Sequence, residues 1–525
     1  MQFRKNIRLA SLCRHIRSNS NRARYTWRAM AISAFSVLAT TLSISASAVS
    51  VEQSQSASKT HSCYLKGLSD RLQCGKIAVP ENPNKPDGRK IDIHFAIIPA
   101  IKNSFPNEAI LGIAGGPGQS AMDSAAGFER DLSKAREQRD ILLIDQRGTG
   151  RSNILSCDWE TEISLLGFND ENQDMVAETK KCLEKYTNKA DITQYGSLTA
   201  LNDFEAVRQY LGYQKLHLYG VSYGTRMAQL YMRQYPQSLA TVTLDGVVPM
   251  QQSVTAIFQS IDRAIALMLK DCQQSSMCHQ QFPNLKQEFE QVSQQLANKP
   301  FDGMINDPST GDQTRLLMTQ AKYMGAIRLA LYSTNTRSLL PYAIHQASKG
   351  DYRSLSTLYA LTTSGVDLAT GMHNSVVCGE DWPRIPAKLR QQAQHSYFGK
   401  NMFKSFDETC QIWKIPTADA SFAKPIESDI PTLLLSGEID PATPPAWGDM
   451  AMKKLSNAKH FVAPYATHGV ARQSCGKNLM AKLIETSSLN ELDGKCLDKD
   501  VSRNFYLNAS SVETLTSSIA TKGKE

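Results

Sequence analysis

Leu216-His217-Leu218-Tyr219-Gly220-Val221-Ser222-Tyr223-Gly224-Thr225 is the stretch that decides how this 525-residue chain is read. An apolar run leads into Gly-x-Ser-x-Gly, and a helical pattern follows over residues 225–235. Strand, tight turn and helix in that order put a serine where the backbone bends sharply, and small neighbours spare it collisions with the adjoining elements. The strained turn projects the hydroxyl outward, where a base can reach it. Because a lone Gly-x-Ser-x-Gly also occurs in ordinary loops, the reading depends on the rest of the chain.

Working outward, continuous apolar runs at 109–114 and 140–144 bracket a helical stretch near 129–137. Helix is expected at 201–211, and strands at 240–244, 431–436 and 460–463. Runs apolar on both faces and separated by helices predict an α/β fold whose mostly parallel central sheet is covered on each side. Residues 76–80 and 90–98, joined by the turn-rich 82–88, predict an antiparallel entry to that sheet. From 251 to 370 there is no strong strand, only helical windows at 254–269, 285–296, 316–331 and 355–362. The expected organisation is a leader over 1–48, a first core segment over 49–250, a helical cap over 251–375 and a second core segment over 376–525. The polar stretch 510–525 reads as a frayed end or a last exposed helix.

The first 48 residues hold Arg4, Lys5, Arg8, Arg14, Arg17, Arg22, Arg24 and Arg28 and no acid. A short apolar core follows over 30–44, and Ala46-Ser47-Ala48 supplies the small-x-small pattern of a signal peptide cleaved between Ala48 and Val49. Ser33, Ser36, Thr40, Thr41 and Ser43 interrupt the apolar core, which disfavours a spanning anchor and stable membrane insertion after processing. Cys13 precedes that core, the wrong side for lipid attachment, and the long basic region leaves room for a start at Met30. The leader's eight cations equal the whole formal net charge of +8, so the mature chain is balanced and no nucleic-acid partner is expected. Ten cysteines remain in a chain bound for an oxidising periplasmic or secreted location. Sequence neighbours suggest Cys63 with Cys74, Cys157 with Cys182, Cys272 with Cys278, Cys378 with Cys410 and Cys475 with Cys496, although spacing alone leaves the connectivity open. With no Cys-x2-Cys pair or His-x3-His cluster, zinc is disfavoured and no metal is expected.

A serine hydroxyl needs a histidine to take its proton and an acid to orient that histidine. Asp440 follows the strand ending at Ser436, and His468 lies beyond the next strand, within Ala466-Thr467-His468-Gly469. The order Ser222, Asp440, His468, with a long gap after the serine, is that of the α/β-hydrolase fold. Glu438 and Asp245 are rival acids; alternatively Asp440 caps a helix and His468 is a loop histidine. Gly115-Gly116-Pro117-Gly118 follows a strand and lacks the Lys-Ser/Thr of a phosphate loop, so the Gly116 amide is expected opposite that of Tyr223 as an oxyanion hole. Asp145 and Arg147, in the loop 145–152, read as an architectural pair shaping the site wall.

Together, residues 115–118, 145–152, 220–225, 244–249, 440–444 and His468 resemble serine peptidase family S33, and within it the secreted tripeptidyl aminopeptidases, relatives of the proline iminopeptidases. The similarity runs from about Cys63 to Cys496. It implies a capped α/β-hydrolase core, no cofactor, and an exopeptidase that releases residues from the free N-termini of peptide substrates. One departure is Ala114, where the family often has histidine before Gly-Gly-Pro-Gly. Such an enzyme holds a substrate ammonium, for which a carboxylate at the cap boundary is suited. In the resemblance an acid two residues past a cysteine lines the site, which selects Glu380 in Cys378-Gly379-Glu380-Asp381, with Asp381 second; a solvated loop carboxylate is the plain alternative. A carboxylesterase or acyltransferase of the same fold is the nearest rival, since one triad serves many substrates, and a noncatalytic binding protein is a third reading. Residue preference and oligomeric state are not legible in the sequence.

Overall fold

The computed structural model describes residues 59–157, 164–363 and 367–514; the expected leader, its cleavage site and most of the polar tail lie outside them. Eleven strands are described: β1 (His61–Cys63), β2 (Leu72–Pro80), β3 (Lys90–Ile98), β4 (Glu108–Ile113), β5 (Asp140–Ile144), β6 (Lys215–Val221), β7 (Leu239–Asp245), β8 (Phe301–Asn306), β9 (Gln313–Met318), β10 (Thr432–Gly437) and β11 (Ala458–Ala463). Nine of them form one sheet in the order β1-β2-β3-β5-β4-β6-β7-β10-β11. β1, β2 and β3 pair antiparallel, as does β3 with β5, and every pair from β5 onward is parallel.

Alternation along the central strands explains why both faces are covered. In β4, Ala109, Leu111 and Ile113 join one buried apolar cluster while Ile110 joins another. Leu142 and Ile144 of β5 follow the first set, and Ile141 and Leu143 the second. With a side-chain period of two and apolar residues in both phases, such strands are stable only between two helical layers. Helices Ser197–Leu211 and Tyr223–Gln234 supply Leu201, Phe204, Met227 and Tyr231 to one layer; helix Gly476–Thr486 supplies Met480 and Leu483 to the other. The expected mostly parallel sheet with helices on both faces is therefore observed.

Between β7 and β10 lies the mostly helical segment where the cap is expected, whose own apolar cluster joins Ile261 and Met268 of helix Ile257–Gln274, Val292 and Leu296 of Leu285–Asn298, and Ile327 of Gln320–Ala330. Leu389, Phe398 and Phe403, from helices Ala387–Ala393 and Tyr397–Ile412, belong to the same cluster. One expectation fails here: residues 316–318 are strand, not helix, because β8 and β9 form an antiparallel hairpin. Five disulfides join the neighbouring cysteines as the spacing suggested. Among the described residues no helix is long and apolar enough to cross a membrane.

The loop after β5 differs from its expected pairing. Arg147 does not meet Asp145; it grips Asp203 with two hydrogen bonds of 2.6 and 2.7 Å and also donates to the carbonyls of Glu81 and Gln194. Asp145 instead accepts from the Ser120 hydroxyl and from the amides of Met122 and Arg151. Both arrangements are buried and architectural. Removing one partner of a buried ion pair strands the other, so Arg147→Met should lower unfolding free energy by about 3–5 kcal/mol in urea titrations, and Arg147→Met with Asp203→Leu should recover much of it.

Candidate active site

The serine turn is built by close backbone approach. Ser222 holds φ 57° and ψ −124°, a conformation rarely adopted by a side-chain-bearing residue, between β6 and helix Tyr223–Gln234. A Cβ on Gly220 would lie 2.4 Å from the Gly224 carbonyl oxygen, and one on Gly224 would lie 2.2 Å from that of Ile113. Both positions therefore require glycine. The Ser222 amide donates to the Asp245 carbonyl at 3.0 Å, tying the turn to the end of β7.

Asp440 and His468 are in contact. Asp440 follows β10 and is fully buried; its Oδ1 accepts from the amides of Ala442 and Thr443, which fixes the carboxylate. Its Oδ2 meets His468 Nδ1 at 2.9 Å and accepts from the Thr443 hydroxyl at 2.8 Å. A proton on Nδ1 leaves Nε2 free to act as a base. Burial alone would lower the imidazole's pKa, but the Asp440 charge and hydrogen bond outweigh it and raise the value above 6.5. The ring packs against the end of β7, where a Cβ on Gly246 would stand 2.9 Å from His468 Cε1.

Neither rival acid meets the histidine. The buried Asp245 accepts from the amides of Val470 and Ala471 and from the Tyr219 hydroxyl, while Glu438 pairs with Arg263. Gly116, Ser222, Tyr223 and Thr443 line one cavity of about 410 Å³, walled by Val248, Ile257, Phe398 and Trp447 among others. Tyr223 is the first residue of its helix, where the backbone N–H has no intrahelical partner.

Glu380 and Asp381 occupy a π-helical segment, Val377–Asp381, and neither is among the cavity-lining residues. Glu380 is buried and accepts from the Ser197 amide and the Ser197 hydroxyl, both at 2.6 Å; that hydroxyl lies 2.7 Å from the Tyr223 hydroxyl. Asp381 is wholly buried against Arg226 at 2.8 Å, with Arg384 at 3.1 Å and the Val254 amide at 2.9 Å. Three further site residues escaped the sequence reading. Thr443 steadies Asp440, the Tyr332 ring stands edge-on to His468 with centroids 5.3 Å apart, and His373 Nδ1 meets the Pro117 carbonyl of the glycine loop at 2.9 Å. Only the position of Thr443, three residues past Asp440, was a usable signal.

Burial pushes the Glu380 carboxyl up to about 7, against the Ser197 hydrogen bonds and the Arg226 charge that favour its anion. The folded state thus binds this proton more tightly than the unfolded chain. The resulting stabilisation is complete below about pH 4.5 and is lost as pH rises toward about 7. Glu380→Gln, which keeps an acceptor for the Ser197 amide, should flatten unfolding free energy against pH across that window; an unchanged slope would assign it elsewhere.

The chain is similar to several known proteins. The chain is 26% identical over 403 residues to serine protease Hip1 of Mycobacterium tuberculosis, covering 71% of this chain and 76% of that protein. It is 25% identical over 194 residues to the tripeptidyl aminopeptidase of Streptomyces lividans, covering 34% and 36% respectively. The proline iminopeptidase structure from Mycobacterium smegmatis aligns at 11% identity and a TM-score of 0.35, over 79% of this chain and 98% of that one. Residues 108–470 match the family described as alpha/beta hydrolase fold. With more than half its length inside that match, the chain belongs to the α/β-hydrolase fold family, as a serine hydrolase distantly related to serine proteases and tripeptidyl aminopeptidases.

Proposed function

We propose that the protein is an exported serine exopeptidase that releases residues from free peptide N-termini through an acyl-enzyme on Ser222. The observation that carries the reading is the Asp440–His468 hydrogen bond of 2.9 Å beside a cavity that Ser222 lines. In the proposed cycle the Ser222 hydroxyl attacks the scissile carbonyl while His468 Nε2 takes its proton, and Asp440 stabilises the imidazolium. The oxyanion is received by the backbone N–H groups of Gly116 and Tyr223. His468 then returns the proton to the leaving amine, and water repeats the sequence to free the acyl group. The named relatives support a peptide substrate, and five disulfides support a periplasmic or secreted location.

Glu380 remains our candidate for the substrate ammonium, with Asp381 second. Its Ser197 hydrogen bonds would then have to open toward the cavity. A carboxylesterase or acyltransferase reading is favoured by one observation, that among the described residues no aspartate or glutamate lines that cavity.

Two measurements test the proposal. A fluorophosphonate probe should label the protein and fail to label Ser222→Ala, and peptide amides with free N-termini should be turned over while their acetylated twins are not; equal turnover of both would remove the exopeptidase assignment. Because Asp440 raises the His468 pKa, the acid limb of kcat/KM should lie above pH 6.5. Asp440→Asn should lower kcat by about 10⁴-fold, since the imidazole loses its enforced tautomer, and should shift that limb to lower pH.

A further inference from the structure

The cavity that holds Ser222 carries a full charge that acyl transfer does not use. Arg328, in the last turn of the cap helix Gln320–Ala330, lines it. Its Nε is buried without a hydrogen-bond partner, and among the described residues Arg328 forms no ion pair. The other arginines at comparable or greater depth are matched: Arg136 by Asp70 and Glu129, Arg139 by Glu108, Arg147 by Asp203, Arg226 by Asp381, and Arg337 by Asp271. Holding a guanidinium against an apolar wall without a counter-charge costs solvation that a bound anion restores.

The position of this charge is as telling as its isolation. The guanidinium lies beside the Tyr332 hydroxyl, one helical turn further on, and the Tyr332 ring stands edge-on to His468. One aromatic ring therefore separates Arg328 from the imidazole that Asp440 holds. The planar guanidinium fork suits a carboxylate, which it can bind through two parallel hydrogen bonds. Val248, Ile257, Phe398, Phe406 and Trp447 would cover the apolar body to which that carboxylate is attached.

We propose that Arg328 is a specificity-determining residue that receives a substrate carboxylate, so that the preferred substrates combine an apolar body with an acid group. The inference rests on Ser222 being the nucleophile of this cavity, but not on the scissile bond being a peptide. The carboxylate can come from an acidic group on the acyl side or from the free C-terminus of a short peptide.

The test compares paired substrates that differ only in that charge: p-nitrophenyl hydrogen glutarate with p-nitrophenyl methyl glutarate, a glutamate-containing peptide with its glutamine twin, and a tetrapeptide acid with its C-terminal amide. The wild type should favour the carboxylate member of at least one pair by about tenfold or more in kcat/KM, chiefly through KM. The pair that shows the preference identifies the source of the carboxylate. In Arg328→Met that ratio should fall close to one, and Arg328→Lys should retain part of it. The p-nitrophenol burst with the neutral ester reports that each variant is folded. Ratios near one in the wild type for every pair, or a preference that survives Arg328→Met, would overturn the proposal. Ester discrimination without peptide turnover would uphold Arg328 and overturn the peptidase reading; peptide turnover without discrimination would do the reverse. No burst with either ester would overturn both.

Discussion

The rest of the site depends on one steric constraint, the near-contact of three backbone segments at Ser222. β4, β6 and the helix after β6 approach so closely that Gly220 and Gly224 have no room for a Cβ. That closeness holds at positive φ a serine that lines the cavity. The strain is local, but its support is global, because β4 and β6 are central strands buried on both faces.

The cap contributes more than a cover. Tyr332 braces the histidine, His373 holds the loop that carries Gly116, and Arg328 brings charge into an otherwise largely apolar chamber. The sheet thus carries the groups proposed to move protons, while the inserted helices wall the cavity beside them. This division fits a fold in which one catalytic arrangement serves many substrates.

How much of this was legible depended on how far apart the interacting residues lie in the chain. Ser222, Asp440 and His468 were found as candidates because each follows a strand of the parallel part of the sheet, and the contact of Asp440 with His468 follows from neighbouring strand ends. The disulfide pairs could be read because each joins sequence neighbours. The hairpin of β8 and β9 could not, since exposed alternate residues weaken its first strand and Leu316-Leu317-Met318 merges into the apolar pattern of the following helix. Glu380 and Asp381 were found as acids near the cap boundary, but their partners Ser197 and Arg226 lie 183 and 155 residues away. Nothing local in the sequence distinguishes a carboxylate spent on such partners from one open to a ligand.

Asp245, the acid that sequence position offered as a rival, has a different consequence. Its main-chain oxygen holds the Ser222 amide, and its side chain holds the amides of Val470 and Ala471, just beyond His468. The Ser222 turn and the segment just after His468 are thereby yoked through one residue. The serine turn and the histidine loop therefore share one anchor at the end of β7, so a change at Asp245 reaches both at once.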